Sequence, residues 1–212
     1  MSPSTLTTWA RGYQREFPNR PPVKQGPVIT ALDGRGGLSV PFVGLIEATV
    51  VQAFRQTGLP LQRIRRALEV LSTQGELQHA LASRRLYSDG AQVLYDYARR
   101  EEDSQLRLLT VVASGQRVFH EVINEYLSRI GFDDDAWATE LIVPVTPDPI
   151  LRVRPAVAGG EPLFIVGGAP WSAVLSRRKA GESVESIARD YGIEVHDVEE
   201  ALDALAPPRL AA

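Results

Sequence analysis

Cysteine is absent from the 212 residues, which excludes disulfide bonds and thiolate metal sites. Only three histidines are present (His79, His120 and His196), and none has a second ligand at metal-binding spacing. No apolar run approaches the roughly 20 residues that cross a bilayer, and the start lacks the basic flank and apolar stretch of a secretory signal. We therefore expect a cytoplasmic protein with no disulfide, metal or membrane partner.

Catalytic motifs are missing as well. No Ser-His-Asp order, no Gly-rich phosphate loop before Lys-Ser/Thr and no metal-binding His-Glu helix can be assembled. His120 and Glu121 are adjacent, so on a helix they point about 100° apart and form a poor acid–base pair. The acidic run at 133–135 lacks the spacing, central Gly and closing Glu of a calcium loop, and predicts a solvated turn. The sequence favours a regulator without a cofactor over an enzyme.

Charge is divided unequally along the chain. Residues 1–100 hold 13 Lys+Arg against 7 Asp+Glu, a net charge of +6, whereas residues 101–212 hold 10 against 19, a net charge of -9. A basic first half suits a polyanion such as DNA, and an acidic second half suits a different partner. The alternative is that surface charge has drifted by chance.

The first fifteen residues predict a short helix. Ser2 or Ser4 is a suitable N-cap, and Pro3 a suitable residue for the first turn. One apolar stripe follows at helical spacing, formed by Leu6, Trp9, Ala10 and Tyr13.

Further periodic segments predict a mainly helical first half. Helices are expected over 42–56 and from 61 to about 72, with a short β wing at 28–30 and 38–40. The pair Asp89-Gly90 favours a β hairpin whose second strand covers 91–97, and a helix over 91–99 is the alternative.

The second half has its own organisation. The acidic residues 101–103 predict a domain boundary, followed by a helix around 119–130 and strands at 129–132 and 137–143. A proline-rich connector over 144–155 precedes a compact helical unit. The predicted domains are therefore 1–103, 104–154 and 155–212.

The last segment carries the spacing of a helix-turn-helix. Ala188 permits close helix approach, Gly192 takes the left-handed turn, and Val198 packs between the two helices. The second helix of this motif bears no Lys or Arg, and phosphate would be repelled by its carboxylates. We therefore expect it to bind another protein or a second copy of the chain rather than DNA, and the alternative is that this acidic face is only solvated. Those carboxylates belong to Glu194, Asp197, Glu199, Glu200 and Asp203.

Two strings in this region, GEPLFIVGG at 160–168 and SIARDYGIEVHDVEEAL at 186–202, resemble a domain of unknown function found in VapB-class antitoxins. Upstream, STLTTWARGY, LPLQRIRRALEVL and ASRRLYSDG are similar to the MerR-type winged helix that precedes that domain. The resemblance implies a mainly α fold with small β hairpins: an N-terminal winged-helix-like domain and a C-terminal helix-turn-helix-like domain. It also implies an antitoxin that binds a PIN-type ribonuclease toxin, represses its own operon and forms a homodimer or a hetero-oligomer with the toxin.

The same resemblance supplies candidate site residues. DNA contacts are expected from a polar helix face and from cations farther along the chain, and toxin or dimer contacts from the C-terminal unit. The expected DNA-binding residues are Ser4, Thr5, Thr7, Thr8, Arg11, Arg15, Arg63, Arg84 and Arg85. The expected toxin- or dimer-binding residues are Trp171, Tyr191, Val198, Leu202 and Arg209.

One further departure and one rival qualify these expectations. A complete winged helix has a further helix before the one at 4–13, so residues 1–15 are expected to pack on 42–72 or on a second copy. The rival is a MerR-like transcription regulator without a toxin. Under that hypothesis Trp171, Phe164 and Trp137 line an effector pocket.

Overall fold

The computed structural model describes residues 2–18, 20–34, 37–74, 79–86, 90–108, 110–113, 116–119 and 121–205. These residues form two compact units. The first comprises Met1–Ser128 with Phe132–Ala138, and the second comprises Arg129–Gly131 with Thr139–Ala212. The break expected at 103 thus lies inside the first unit, and the break expected at 154 lies inside the second.

Local capping fixes the first helix, α1 (Pro3–Arg11). The Ser2 hydroxyl accepts a hydrogen bond from the Thr5 backbone N–H at 3.2 Å, and Pro3 sits where a missing N–H costs nothing. Gly12 ends the helix with φ 74°, and a Cβ there would lie 2.1 Å from the Gln25 carbonyl oxygen. Only glycine therefore fits this helix end.

The predicted apolar stripe of α1 is correct in part. Trp9 and Ala10 are buried within this one chain, and Leu6 is half-buried. Tyr13 lies beyond Gly12 and begins a strand, so its assignment to the helix is wrong. Because Trp9 is covered in a single chain, its burial needs no second copy.

Two short hairpins follow α1. Strand β1 (Tyr13–Phe17) pairs antiparallel with β2 (Arg20–Gln25), a hairpin that the sequence did not predict. Strand β3 (Leu32–Gly34) pairs with β4 (Gly37–Ser39). The strand predicted at 38–40 is thus confirmed in part as β4. The strand predicted at 28–30 is wrong, because that segment carries no strand although Val28 and Ile29 are buried.

Helices build the core of the first unit. The predicted helices are confirmed as α2 (Phe42–Gln56) and α3 (Leu61–Gln74). The predicted strand at 91–97 is wrong, since α4 (Ala91–Arg100) occupies that segment. Its buried residues recur three or four apart, as a helix requires: Ala91, Leu94, Tyr97 and Ala98.

The rest of the first unit consists of short helices and strands. Helix α5 (Ser104–Arg107) leads into the antiparallel pair β5 (Thr110–Ala113) and β6 (Gln116–Phe119), and α6 (Glu121–Leu127) confirms the helix expected there. The Phe119 ring lies 5.8 Å from the Phe54 ring of α2 and is fully covered.

A four-stranded sheet precedes the last three helices. In the order in which they pair, its strands are β10 (Leu163–Phe164), β9 (Leu151–Val153), β8 (Ala138–Ile142) and β7 (Ile130–Phe132). Strands β7 and β8 confirm the strands expected on either side of an acidic turn. In that turn the Asp133 carboxylate accepts a hydrogen bond from the Trp137 N–H at 2.8 Å.

The last helices are α7 (Trp171–Lys179), α8 (Val184–Tyr191) and α9 (Val195–Leu205). They enclose one apolar core around Phe164, Val174 and Ile187. Helices combined with small antiparallel sheets confirm the predicted mainly α class.

Candidate functional site

The exposed face of α1 is polar and almost uncharged. Ser4 and Thr8 are exposed, and Thr5 and Thr7 are half-buried. The hydroxyls of Thr7 and Thr8 donate to carbonyl oxygens one turn earlier, each at 2.9 Å. A bound phosphate would have to compete with these internal acceptors.

Arg11 is the cation at the end of this face. Its Nη2 donates to Asp33 Oδ1 at 2.9 Å, and both side chains are largely exposed. An exposed ion pair contributes no more than about 1 kcal/mol, so a phosphate can replace Asp33 at small cost. Arg11 therefore has the geometry of a cation available to an anionic ligand.

The other predicted DNA-binding arginines lie in separate elements. Arg15 is in β1, directly after α1. Arg84 and Arg85 are exposed after the short 3₁₀ turn Ala80–Ala82, where the Arg84 N–H donates to the Ala136 carbonyl at 2.8 Å. The structure thus places Arg11 and Arg15 on consecutive elements and the two later arginines on a turn.

Arg63 has a different environment from Arg11. On α3, its Nη1 donates to Asp103, whose side chain is only 6% exposed. A buried carboxylate needs a partner, because a charge left unpaired out of water is costly. This geometry indicates that Arg63 stabilises the fold by neutralising the buried Asp103 carboxylate.

The neighbouring arginines of α3 are also engaged within the unit. Arg65 donates to the Gly26 carbonyl oxygen, and burial lowers the pKa of Arg65. Arg66 donates to the Tyr97 hydroxyl at 2.7 Å, which raises the pKa of Arg66. Both arginines thus donate to neutral oxygens of the same unit and remain charged, so part of their hydrogen-bonding capacity is already used there.

In the second unit, α8 and α9 form the predicted helix-turn-helix. Ser183 caps α8 by accepting a hydrogen bond from the Ser186 N–H at 3.2 Å. Gly192 occupies the left-handed region at φ 65°, and Ala188 and Val198 are buried. As the sequence predicted, Gly192 forms the left-handed turn, and Ala188 and Val198 pack at the contact between the two helices.

An ion cluster joins α7 to α8. Arg177 Nε donates to both carboxylate oxygens of Glu182 at 3.0 Å, and Nη2 donates to Asp190 at 2.6 Å. These bonds raise the pKa of Arg177, and the bond from Arg177 lowers the pKa of Glu182. The guanidinium also lies 5.3 Å from the Tyr191 ring centroid.

The residues predicted to bind a toxin or a second copy are not equivalent. Trp171, Tyr191 and Leu202 are half-buried, and the Trp171 ring lies 6.5 Å from Phe164. Val198 has no exposed surface, so it packs the core and presents nothing to a partner. Arg209 lies outside the described residues.

Sequence reasoning missed the acidic partners of the arginines. Asp33 and Asp103 lie 22 and 40 residues from Arg11 and Arg63, and no local pattern marks such pairs. It also missed the β1–β2 hairpin, because three polar residues separate Tyr13 from Phe17 and no apolar alternation marks the strand.

Neither a metal centre nor a membrane span is found in the part of the chain that the structure describes. Within it, no three His, Asp or Glu side chains are grouped so as to hold an ion. Among the same residues, no helix has both the length and the apolar character to cross a bilayer.

Comparison with known proteins gives consistent matches to both units. Residues 1–68 match the family described as "Putative DNA-binding HTH domain", and residues 152–203 match a protein family of unknown function, DUF433. The chain is 40% identical over 210 residues to "Putative antitoxin VapB45" of Mycobacterium tuberculosis, covering 96% of this chain and 87% of that protein. The crystal structure of Rv2018 from Mycobacterium tuberculosis superposes with a TM-score of 0.77 at 38% identity, covering 94% of this chain and 90% of that one.

Proposed function

Because the chain belongs to the VapB antitoxin family, we propose that it neutralises a PIN-type ribonuclease toxin and represses its own operon as the antitoxin of a type II system. The observation that carries this proposal is the pairing of a DNA-binding helix-turn-helix match at 1–68 with an acidic helix-turn-helix in the second unit. The two units differ in the chemistry of the partner that each can accept.

The DNA-binding function belongs to the first unit. Its exposed helix α1 presents Ser4, Thr8 and Arg11, and the resemblance of this region to a MerR-type winged helix supports β3–β4 as the wing. Hydroxyls and one exchangeable guanidinium suit contacts to phosphate, which position a protein on a duplex. Arg15, Arg84 and Arg85 are further candidates, whereas Arg63 is committed to Asp103.

The toxin-binding function belongs to the second unit. Helix α9 exposes carboxylates and no cation, so it repels a phosphate backbone and suits a protein. Trp171, Tyr191 and Leu202 are half-buried and remain candidate contacts. This assignment makes the protein a non-enzymatic regulator that works in the cytoplasm, where its operator DNA is.

Two binding measurements with the full chain test the proposal. The tagged chain is co-expressed with the product of the adjacent gene, and we expect the two to co-purify. The purified chain is then titrated into a labelled duplex from its own promoter, and we expect binding that weakens steeply with salt. DNA binding without co-purification would favour the MerR-like regulator. If the chain shows neither DNA binding nor co-purification, both functions are rejected.

A further inference from the structure

Two exposed valines lie at the turn of the C-terminal helix-turn-helix. Val166 is 51% exposed and Val195 is 37% exposed. Gly167, which follows Val166, lies so close to the α8–α9 turn that a Cβ on it would be 2.3 Å from the Tyr191 carbonyl oxygen and 2.9 Å from Ile193 Cγ1. Val166 and Val195 thus flank the same turn, and we call them the turn patch.

Within the turn patch, Val195 occupies the position from which DNA-binding relatives of this motif contact bases. In such motifs the N-terminal residues of the second helix enter the major groove. Here those residues are Glu194, Val195, His196 and, one turn later, Glu199, all of them exposed. Exposed apolar side chains bordered by carboxylates are unsuited to a polyanion and are available to a protein partner.

Charge also argues against a symmetric contact between two copies. In such a dimer the same patch meets itself. Glu194 and Glu199 of one copy would then approach their counterparts in the other, which is unfavourable. The complementary partner has an apolar centre and a basic rim.

We propose that the turn patch is the surface that receives the toxin, through a region of the toxin that is apolar at its centre and basic at its edge. This inference rests on the proposed antitoxin function and adds the location and the chemistry of the contact. Val166 and Val195 fill the toxin's apolar centre, and Glu194 and Glu199 pair with its basic rim. Helix α9 therefore uses a DNA-reading position to hold a protein.

The test measures affinity between the full chain and the protein encoded by the adjacent gene. Val166→Lys and Val195→Lys each place a cation in the patch, and Val157→Lys is the matched control because Val157 is a 39% exposed valine on a loop of the same unit. We expect each patch variant to lose about tenfold or more in affinity. The control should stay within about twofold, as for an ordinary surface substitution.

The acidic rim is tested separately by the double variant Glu194→Lys/Glu199→Lys. Toxin binding by the unaltered chain should weaken as salt rises, and the double variant should bind more weakly with a smaller salt dependence. Asp134→Lys, on the exposed turn between β7 and β8, is its control. Unchanged thermal midpoints for all variants establish that folding is intact.

The outcomes separate this inference from the function on which it rests. If the unaltered chain does not bind the adjacent gene product, the proposed function fails and the inference fails with it. If the unaltered chain binds and both valine variants bind equally well, the inference alone is overturned. The inference is also overturned if these variants leave the affinity for the toxin unchanged and alter only the sedimentation of the chain on its own. In that case the patch is a contact between copies of the chain.

Discussion

Arg11 and Arg63 of the first unit differ in how deeply their acidic partners are buried. Asp33, the partner of Arg11, is 66% exposed, whereas Asp103, the partner of Arg63, is almost fully covered. Water can replace an exposed partner but cannot reach a buried one. Burial of the acidic partner therefore favours a structural role for Arg63 and leaves Arg11 as the better candidate for a DNA contact.

Replacing Arg63 by Ala should destabilise the protein, because it leaves the Asp103 carboxylate buried without its cation. We expect a loss of about 1–3 kcal/mol in the free energy of unfolding, measured by denaturant titration. Adding Asp103→Asn to the same chain should restore part of that loss. Unchanged stability together with weaker DNA binding would instead return Arg63 to the DNA interface.

Replacing Arg11 by Ala should leave stability nearly unchanged and weaken DNA binding on every sequence, because the lost contact is to phosphate. The slope of log affinity against log salt should flatten by about 1. Asp33→Asn is the matched variant: it keeps Arg11 and removes its competitor, so DNA binding should strengthen. A loss confined to one base position would show that Arg11 contacts a base edge.

Two glycines next to helix α8 constrain the fold by different means. Gly192 has φ 65° with open space where a Cβ would lie, so a substitution there costs only backbone strain. Gly167 has φ 77° and would also place a Cβ against the Tyr191 carbonyl. The first position tolerates a residue that adopts the left-handed region, and the second does not.

Gly192→Ala should therefore destabilise the second unit by about 1–2 kcal/mol, and Gly192→Asn by less, because Asn adopts left-handed backbone more readily. At Gly167, Asn should be no better than Ala, since both carry a Cβ. Thermal midpoints of the four variants give the comparison. Equal losses for Ala and Asn at Gly192 would contradict the strain argument.

The α7–α8 ion cluster predicts a stability that depends on acid. The bond from Arg177 holds the pKa of Glu182 below its usual value of 4.5, so the folded state favours the charged form. The pair therefore stabilises the fold above about pH 4.5, and this contribution disappears as pH falls through the lowered pKa. We expect Glu182→Gln to lower the thermal midpoint at neutral pH and to reduce its fall between about pH 5 and about pH 3. A variant that follows the unaltered chain at every pH would show that the pair contributes nothing.

Elements with strong periodicity were predictable from sequence, and elements decided by distant contacts were not. Helices α2 and α3 and the α8–α9 turn follow from apolar spacing and glycine position. The pair Asp89-Gly90 favoured a hairpin, but a helix over 91–100 buries Leu94 and Tyr97 on one face, and that burial outweighs the local turn preference. Strand β2 escaped prediction because it contains Pro21 and Pro22, which a two-stranded hairpin tolerates.

On the scale of the whole molecule, composition separated a basic half from an acidic half, but it did not indicate which residues of each half are exposed. The change from a basic to an acidic half, visible in composition, accompanies a DNA-binding match at one end and an acidic helix-turn-helix at the other. Individual assignments needed burial: Val198 lies in the core, whereas Val166 and Val195 are exposed. Helical spacing cannot tell which apolar residue is covered when the covering segment lies outside the helix.

The central claim is that this chain neutralises a toxin encoded beside it, and growth of a host carrying both genes tests it most directly. Induction of the adjacent gene alone should arrest growth, and simultaneous induction of this chain should restore it. Val195→Lys should restore growth less well than the unaltered chain, while Val157→Lys should restore it fully. Growth arrest that the unaltered chain fails to relieve, at equal expression of both proteins, would contradict the account.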